Sequence, residues 1–199
     1  MQLLETIRFE KGRFSNLEYH QDRMNNARRQ LFNCKIDINL LSVLQKSSFP
    51  LNNQIHKCRV EYDTDVIKVE LLSYKLPIIN SLKLIKCNDI DYRFKYRKRD
   101  RLMELYSQKG ETDDIIIIKN GLVTDSSTAN LLFFNGKQWI TPTTPLLKGT
   151  QRAFLLENEV IQTAIICPTD LQYFEKVRLI NAMLRFEDEV DVRISEILT

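Results

Sequence analysis

The sequence has few cysteines and none of the spacings that mark a metal site or a disulfide scaffold. The four cysteines are widely separated and form no CxxC pair: Cys34, Cys58, Cys87 and Cys167. Structural zinc sites need Cys and His ligands at short, repeated spacings, so we expect neither a bound metal nor a disulfide framework. Isolated thiols of this kind are typical of a reducing cytoplasm. The absence of HExxH and of a recognisable Ser or Cys nucleophile motif disfavours metalloprotease and hydrolase functions.

Long hydrophobic runs and an excess of one charge are also absent. No stretch of about 18 uncharged apolar residues occurs, and the opening MQLLETIRFEKG lacks the apolar run of a signal peptide. We therefore expect a cytoplasmic protein without a membrane partner. The 29 Lys and Arg residues and the 26 Asp and Glu residues leave a net charge of +3. This balance gives no overall field that requires a nucleic acid as partner.

The 199 residues, of which 43% are hydrophobic, are enough for one compact unit or two small lobes in contact. The residue pattern predicts strands over 3–9, 58–62, 66–72, 82–86, 115–119, 130–134, 138–141, 164–167 and 177–181. It predicts helices over 17–31, 38–45, 102–108 and 149–162. Strands and helices are mixed rather than strictly alternating, which predicts an α+β fold with two lobes. The polar segment 89–101 connects them, so we place the lobes at residues 1–90 and 91–199.

The tetrapeptide Gly149-Thr150-Gln151-Arg152 follows a proline-containing loop and opens a predicted helix. Backbone N–H groups at a helix start are unpaired and carry partial positive charge, so they bind phosphate well, and glycine allows a ligand to approach closely. These residues are therefore a candidate phosphate site. Taken alone, an ordinary capped helix with a glycine turn is the more common explanation.

A single acid, Asp125, lies in the hydroxyl-rich sequence VTDSSTAN between two apolar strands. Small hydroxyl side chains around a carboxylate could hold it in place, ionised, to pair with a protonated heterocycle nitrogen. The alternative is an Asx or Ser/Thr turn between the strands, which needs no ligand.

Three further cations are candidates for binding or chemistry. Lys95 lies in the basic run RFKYRKR, and crowding by like charges favours the neutral amine that Schiff-base chemistry needs. The same run is also compatible with a nucleic-acid patch in which aromatic side chains stack, or with a solvated loop. Arg23, on the polar side of the first helix, could reach a phosphate. Arg59 could meet a substrate carboxylate, although a structural role is the favoured interpretation.

The order of these segments resembles that of the class IV aminotransferase family, the fold type IV pyridoxal-phosphate (PLP) enzymes. LETIRFEKGRFSNLEYHQDRM is similar to the opening strand pair and helix of the family. The H-x-x-R arginine of that helix contacts the cofactor phosphate, which implies this role for Arg23. FKYRKR resembles the lysine segment of the family, which implies that Lys95 is the catalytic residue and forms the internal aldimine.

Three later segments carry the rest of the resemblance. GLVTDSSTANLLF is similar to the motif whose carboxylate binds the pyridine nitrogen, which implies Asp125, although the family has Glu there. TPTTPLLKGTQR resembles the motif that implies Leu147 against the pyridine ring and the amides of Thr150 and Gln151 on the phosphate. LINAM resembles the segment that adds Asn181 and Ala182 to the phosphate site.

The resemblance implies a D-amino acid aminotransferase-like fold, with a small N-terminal α/β lobe and a larger C-terminal lobe that forms a mixed α/β pseudobarrel. It also implies a homodimer that binds PLP and acts on an amino acid or an aminodeoxychorismate-like substrate. Both aminotransferase and lyase chemistry are compatible with it. Asp100 stands where branched-chain enzymes have Tyr, which favours the other branches. The alternatives are a degenerate PLP-binding protein and a basic RNA-binding or interaction protein.

Overall fold

The computed structural model describes residues 1–50 and 52–198. The chain forms two compact units: Met1–Leu76 with Phe94–Lys98, and Pro77–Arg93 with the chain from Arg99 onwards. This division differs from the predicted boundary at residue 90. Residues 82–86 pair with strands of the second unit, and Phe94–Lys98 returns to the first. The predicted mixture of helices and sheets is confirmed, and each unit contains both.

The first unit is a four-stranded antiparallel sheet with two helices. Its elements are β1 (Leu3–Glu10), β2 (Arg13–Phe14), α1 (Leu17–Phe32), α2 (Leu40–Leu44), β3 (His56–Tyr62) and β4 (Val66–Ser73). The strand order is β2-β1-β3-β4. A hairpin joins β1 to β2 at Lys11 and Gly12, which both have positive φ angles. Asn16 directly precedes α1, and its side chain makes no capping hydrogen bond.

The core of the first unit lies between the sheet and α1. Leu3 and Ile7 alternate along β1 and pack with Met24 and Ala27 of α1. Alternate residues of a strand point to the same face, so Glu5 lies in this apolar stripe, facing α1. Cys58, Val60 and other apolar residues complete the cluster. A charged residue is thus placed inside a core, which requires partners.

The second unit is built on a nine-stranded mixed sheet. Its elements are β5 (Leu82–Lys86), α3 (Asp100–Tyr106), β6 (Asp114–Lys119), β7 (Leu122–Ser126), β8 (Asn130–Phe134), β9 (Trp139–Pro142), α4 (Thr150–Glu157), β10 (Ile161–Ala164), β11 (Lys176–Ile180), β12 (Asp191–Arg193) and β13 (Ile197–Leu198). The strand order is β10-β9-β8-β7-β6-β5-β13, with β11 paired to β8 and β12. The four isoleucines of β6, residues 115–118, are all buried, as in a strand covered on both faces.

Two local predictions in this unit are corrected by the structure. β7 was not predicted as a strand, yet Asn120 and Gly121 both have positive φ angles and join β6 to β7 in a tight hairpin. Asp125 therefore lies on a strand rather than in a turn between strands. The helix predicted over 149–162 ends at Glu157, because β10 begins at Ile161 and pairs in parallel with β9.

Candidate functional site

In the first unit, Glu5, His20 and Arg23 form one hydrogen-bonded group. Arg23 donates from Nε to Glu5 Oε1 at 3.0 Å and from Nη2 to Glu5 Oε2 at 2.5 Å. His20 Nδ1 lies 2.6 Å from Glu5 Oε2. Residues three apart on a helix share a face, so both side chains of α1 reach the same carboxylate on β1.

The charges in this group follow from burial and from the neighbours. Burial alone would raise the pKa of Glu5, but the Arg23 cation and His20 outweigh it and hold this pKa at about 2. Burial lowers the pKa of His20; Glu5 opposes this, while the cations of Arg23 and Lys95 add to it. Glu5 is therefore ionised and His20 neutral at pH 7.

Lys95 belongs to the same unit. Its segment, Phe94–Lys98, lies beside the start of β1, where Leu4 N donates to Lys95 O at 3.0 Å. Lys95 is half-buried, and its charge acts on His20. The structure thus brings the predicted residues Arg23 and Lys95 to one neighbourhood, centred on Glu5 and His20.

The aromatic residues beside Lys95 do not form an open stacking surface. Phe94 and Tyr96 pack against the core of the first unit, with their ring centroids 6.2 Å apart in an edge-on arrangement. Arg97 Nε forms an ion pair with Glu61 at 2.9 Å. Aromatic rings held this way are not available as a platform for bases, which disfavours the RNA-binding alternative.

Arg59, the candidate for a substrate carboxylate, lies on β3. Its Nη2 donates to Glu61 Oε1 at 3.2 Å. Its Nε is buried and has no hydrogen-bond partner among residues 1–50 and 52–198. An unsatisfied buried N–H is costly, so this atom would gain from an added acceptor.

In the second unit, Asp125 is the centre of a buried hydrogen-bonded group. Asn130 Nδ2 donates to Asp125 Oδ1 at 2.8 Å, and Leu147 N donates to Asp125 Oδ2 at 2.9 Å. Asn130 Nδ2 also donates to Leu147 O at 2.9 Å. Asp125 and Asn130 face each other across β7 and β8. The predicted residues Asp125 and Leu147 are thus brought together, and Leu147 contributes through its backbone.

Desolvation sets the charge state of Asp125. Burial raises the pKa of Asp125 to about 6, and the hydrogen bonds from Leu147, Asn130 and Leu146 with the cation of Arg152 only partly oppose it. Arg152 gives its own hydrogen bonds to Thr141 Oγ1 at 3.1 Å and Pro142 O at 2.9 Å. Asp125 has no ion-pair partner within the described part of the chain. The acid is therefore held in place without a full counter-charge.

The predicted phosphate residues lie around this group in the second unit. Thr150 and Gln151 begin α4 and are both buried. Asn181 follows β11; its Oδ1 accepts from Met183 N at 2.7 Å and Leu184 N at 2.9 Å, and its Nδ2 donates to Thr128 O at 3.2 Å. Thr128 belongs to the loop between Asp125 and Asn130. Ala182 is half-buried beside Asn181.

Three comparisons with known proteins match this chain. The family described as amino-transferase class IV matches residues 93–186. An uncharacterised protein of Haemophilus influenzae is 40% identical over 184 residues, 91% of this chain and 97% of that protein. A crystal structure of a candidate 4-amino-4-deoxychorismate lyase from Haemophilus somnus is 37% identical, with a TM-score of 0.86, and covers 93% of this chain and 97% of that one.

The chain belongs to the class IV aminotransferase family. The predicted family and type of enzyme are thereby confirmed. A structure described as a hypothetical aminotransferase from Mycobacterium tuberculosis in a PLP-bound form is 13% identical, with a TM-score of 0.75, and the match covers 98% of this chain and 81% of that one. At this identity the likeness shows the fold alone.

The two hydrogen-bonded groups around Glu5 and Asp125 contain two residues that the sequence alone did not identify as candidates, Asn130 and Glu5. Asn130 is the cross-strand partner of Asp125, and its role depends on the pairing of β7 with β8. Glu5 interrupts the apolar alternation of Leu3, Ile7 and Phe9 on β1. A charged residue in the buried register of a strand is the signal that could have found it.

Two features are absent from the described residues. In residues 1–50 and 52–198, no helix has both the length and the apolar character needed to cross a membrane. Over the same ranges, no three His, Cys, Asp or Glu side chains are arranged to hold a metal ion.

Proposed function

We propose that this class IV family member is a PLP-dependent enzyme that acts on an amino substrate. The leading activity is the cleavage of a 4-amino-4-deoxychorismate-like substrate, and amino transfer is the second. The observation that carries the proposal is the Asp125 group: a buried carboxylate, fixed by Asn130 and Leu147, that has no ion-pair partner among residues 1–50 and 52–198.

The chemistry of Asp125 suits a protonated pyridine nitrogen. A carboxylate can accept about four hydrogen bonds, and Asp125 accepts those of Asn130 at 2.8 Å, Leu147 at 2.9 Å and Leu146, so it can accept another. A pyridinium N–H would add a donor and the missing positive charge, which would lower the pKa of Asp125. Asp is one methylene shorter than the Glu of the family, and the cross-strand hydrogen bond from Asn130 fixes its position.

The remaining donors suit a phosphate and an aldehyde. Arg23 offers a guanidinium, and Thr150 and Gln151 offer amides at the start of α4. Asn181 and Ala182 add a turn whose conformation is fixed by the Asn181 side chain. Lys95 offers the amine for covalent attachment of the aldehyde. Each unit, taken by itself, therefore offers donors that suit chemical groups of PLP.

The chain's own residues then have distinct tasks. Bound PLP supplies a ring that accepts the electrons of a negative charge at the substrate α carbon. Lys95 Nζ would take the proton from that carbon. In amino transfer it would return this proton to a different atom, whereas in the lyase reaction the bond to the pyruvate fragment would break, and that fragment would leave with the bonding electrons and take up a proton. Asp125 would keep the ring nitrogen protonated. Arg59, whose Nε has no hydrogen-bond partner among residues 1–50 and 52–198, would hold a substrate carboxylate.

Two similarities support the choice of substrate. The Haemophilus somnus protein, 37% identical over nearly the whole chain, is described as a candidate 4-amino-4-deoxychorismate lyase. The family description supports amino transfer as the second activity. A homodimer remains the prediction for assembly, on the resemblance, and a cytoplasmic location remains a prediction as well.

The first experiment measures cofactor binding. Purified protein mixed with PLP should show the visible absorbance of the bound cofactor, and Lys95→Ala should abolish that band because the amine is lost. Lys98→Ala is the matched control, since it removes an exposed lysine three residues away and should keep the band. Absence of the band from all three proteins would refute the proposal.

The second experiment separates the two reactions. A lyase releases pyruvate and aminobenzoate from 4-amino-4-deoxychorismate without an added keto acid. An aminotransferase instead requires a keto acid and forms the corresponding amino acid. Release of both products by wild type but not by Lys95→Ala would support the lyase. If PLP binds and neither reaction occurs, the proteins are cofactor-binding only and the catalytic proposal is wrong.

A further inference from the structure

The stability of the folded protein does not explain why Glu5 is an acid. It is completely buried, and on β1 it alternates with Leu3 and Ile7, which pack in the core. Replacing a buried ion pair by well-packed apolar residues is often neutral or stabilising, because burying charges is costly. Stability alone therefore gives no reason for a carboxylate in this stripe, and its contacts must supply one.

Those contacts fix the orientation of Arg23. Its Nε and Nη2 donate to the two oxygens of Glu5, at 3.0 and 2.5 Å. Two parallel hydrogen bonds between a guanidinium and a carboxylate hold both planes, so Arg23 cannot rotate freely. A long side chain that is already ordered loses less entropy when it binds a ligand than one that is mobile.

His20 fixes the Glu5 carboxylate in turn. Glu5 is ionised, with a pKa of about 2, and an ionised carboxylate is only an acceptor. His20 Nδ1 must therefore be the donor in the 2.6 Å contact with Glu5 Oε2. The carboxylate is held from α1 by two side chains, and Thr6, the next residue of β1, is registered opposite Arg59 of β3.

We infer that Glu5 is a positioning residue, which orients the Arg23 guanidinium to receive the phosphate of the cofactor. This inference rests on the function proposed above, in which Arg23 contacts that phosphate. It assigns Glu5 no contact with the cofactor or the substrate. Replacing Glu5 should therefore weaken the binding of a ligand that carries a phosphate and leave the binding of a ligand without one unchanged.

Pyridoxal, which has the aldehyde and the ring of PLP but no phosphate, makes this testable. In Glu5→Gln, PLP affinity should fall about ten-fold, because one ordered side chain is released. Pyridoxal affinity should change less than two-fold, because Lys95 and Asp125 are unchanged. Both affinities are measured by titrating the visible absorbance of the bound ligand, with thermal unfolding as a check on the fold.

Two further variants complete the test. Glu5→Asp keeps the charge on a shorter side chain, so its PLP affinity should lie between those of wild type and Glu5→Gln. Glu61→Gln is the matched control, because Glu61 is a buried acid of the same sheet that pairs with Arg97 and Arg59. It should change neither affinity more than two-fold. If Glu5→Gln does not fold, Glu5→Asp carries the comparison of PLP with pyridoxal.

The outcomes separate this inference from the proposed function. If wild type binds neither PLP nor pyridoxal, the proposed function is wrong and the inference falls with it. If wild type binds both and the Glu5 variants weaken both equally, Glu5 is a structural residue only. Unchanged affinities in Glu5→Gln would also overturn the positioning role while leaving the proposed function intact. A loss confined to PLP supports it.

Discussion

Asn130 Oδ1 lies where a side chain on Gly149 would begin: a Cβ atom there would be 2.0 Å from it. The φ and ψ angles of Gly149, −71° and 146°, are open to any residue, so the backbone does not require glycine. The requirement comes from Asn130, whose amide group is held by Asp125 and by Leu147 O. Glycine at this position thus permits the Asp125 group to form.

Gly149→Ala should therefore destabilise the protein by about 2 kcal/mol, the usual cost of an added group in a well-packed site. The displaced Asn130 should also lose its hydrogen bonds to Asp125 and Leu147. Urea denaturation measures the first effect. In the double variant Gly149→Ala with Asn130→Ala, the clash is gone, so the costs should be less than additive. Full additivity would contradict the proposed contact.

The raised pKa of Asp125 predicts how stability changes with pH. Its pKa is about 6 in the folded protein, against about 4 in an unfolded chain. The folded state binds this proton more tightly, so the acid contributes stability below about pH 4 that is lost as the pH rises through 6. At about 1.4 kcal/mol per pKa unit, the contribution is at most about 3 kcal/mol.

Asp125→Asn should remove this dependence in the apo-protein. The unfolding free energy of wild type minus that of Asp125→Asn should fall by about 2 kcal/mol between pH 4 and 7. Urea denaturation at several pH values measures it. Asp65→Asn, which removes an exposed carboxyl, corrects for general effects of charge. A difference that rises with pH would mean that Asp125 is stabilised as the anion.

The sequence predicted the local elements well and the long-range ones poorly. Short apolar runs bounded by turn residues predict β1, β3 and β8, because burial of one or both faces of a strand requires apolar residues there. The return of Phe94–Lys98 to the first unit depends on pairing with residues over 90 positions away. No local residue pattern contains that information, so the sequence could not predict that Phe94–Lys98 belongs to the first unit.

The candidate site shows the same contrast. Asp125 and Lys95 were identified because unusual flanking residues surround them. Glu5 was passed over, since polar residues in a strand are normally expected on the solvent face. Only its register with Leu3 and Ile7 shows that it is buried. The hydrogen bonds from Arg23 and His20 that make burial possible come from a different element, α1.

The hydrogen bonds of Asn181 hold the turn that follows β11, so we expect its replacement to loosen that turn even when no cofactor is bound. Asn181→Ala removes acceptors for Met183 N and Leu184 N and the link to Thr128 O. We expect a loss of about 2 kcal/mol in stability, and faster hydrogen exchange at Met183 in the apo-protein. Asn158→Ala is the control, because that exposed amide makes one bond, to Phe154 O. Equal exchange in both variants would argue against the role of Asn181.

The guanidinium of Arg178 lies between two rings, 4.6 Å from the centroids of both Trp139 and Phe186. Its Nε and Nη2 donate to the two oxygens of Asp191 at 2.6 and 2.9 Å. Lysine has neither the planar face nor the forked donors, so it cannot replace these contacts. Because Arg178 is buried, a broken pair leaves Asp191 without its main partner.

Arg178→Lys should cost about 3 kcal/mol of unfolding free energy, as for other broken buried pairs. Trp139 is the single tryptophan of the chain, so its fluorescence reports on this cluster alone. Emission should shift to longer wavelength when the guanidinium no longer covers the ring and water reaches it. Lys176→Arg keeps a cation at the neighbouring position and should leave the emission unchanged. A stable Arg178→Lys protein with wild-type emission would show that charge alone, without stacking, holds this end of the sheet.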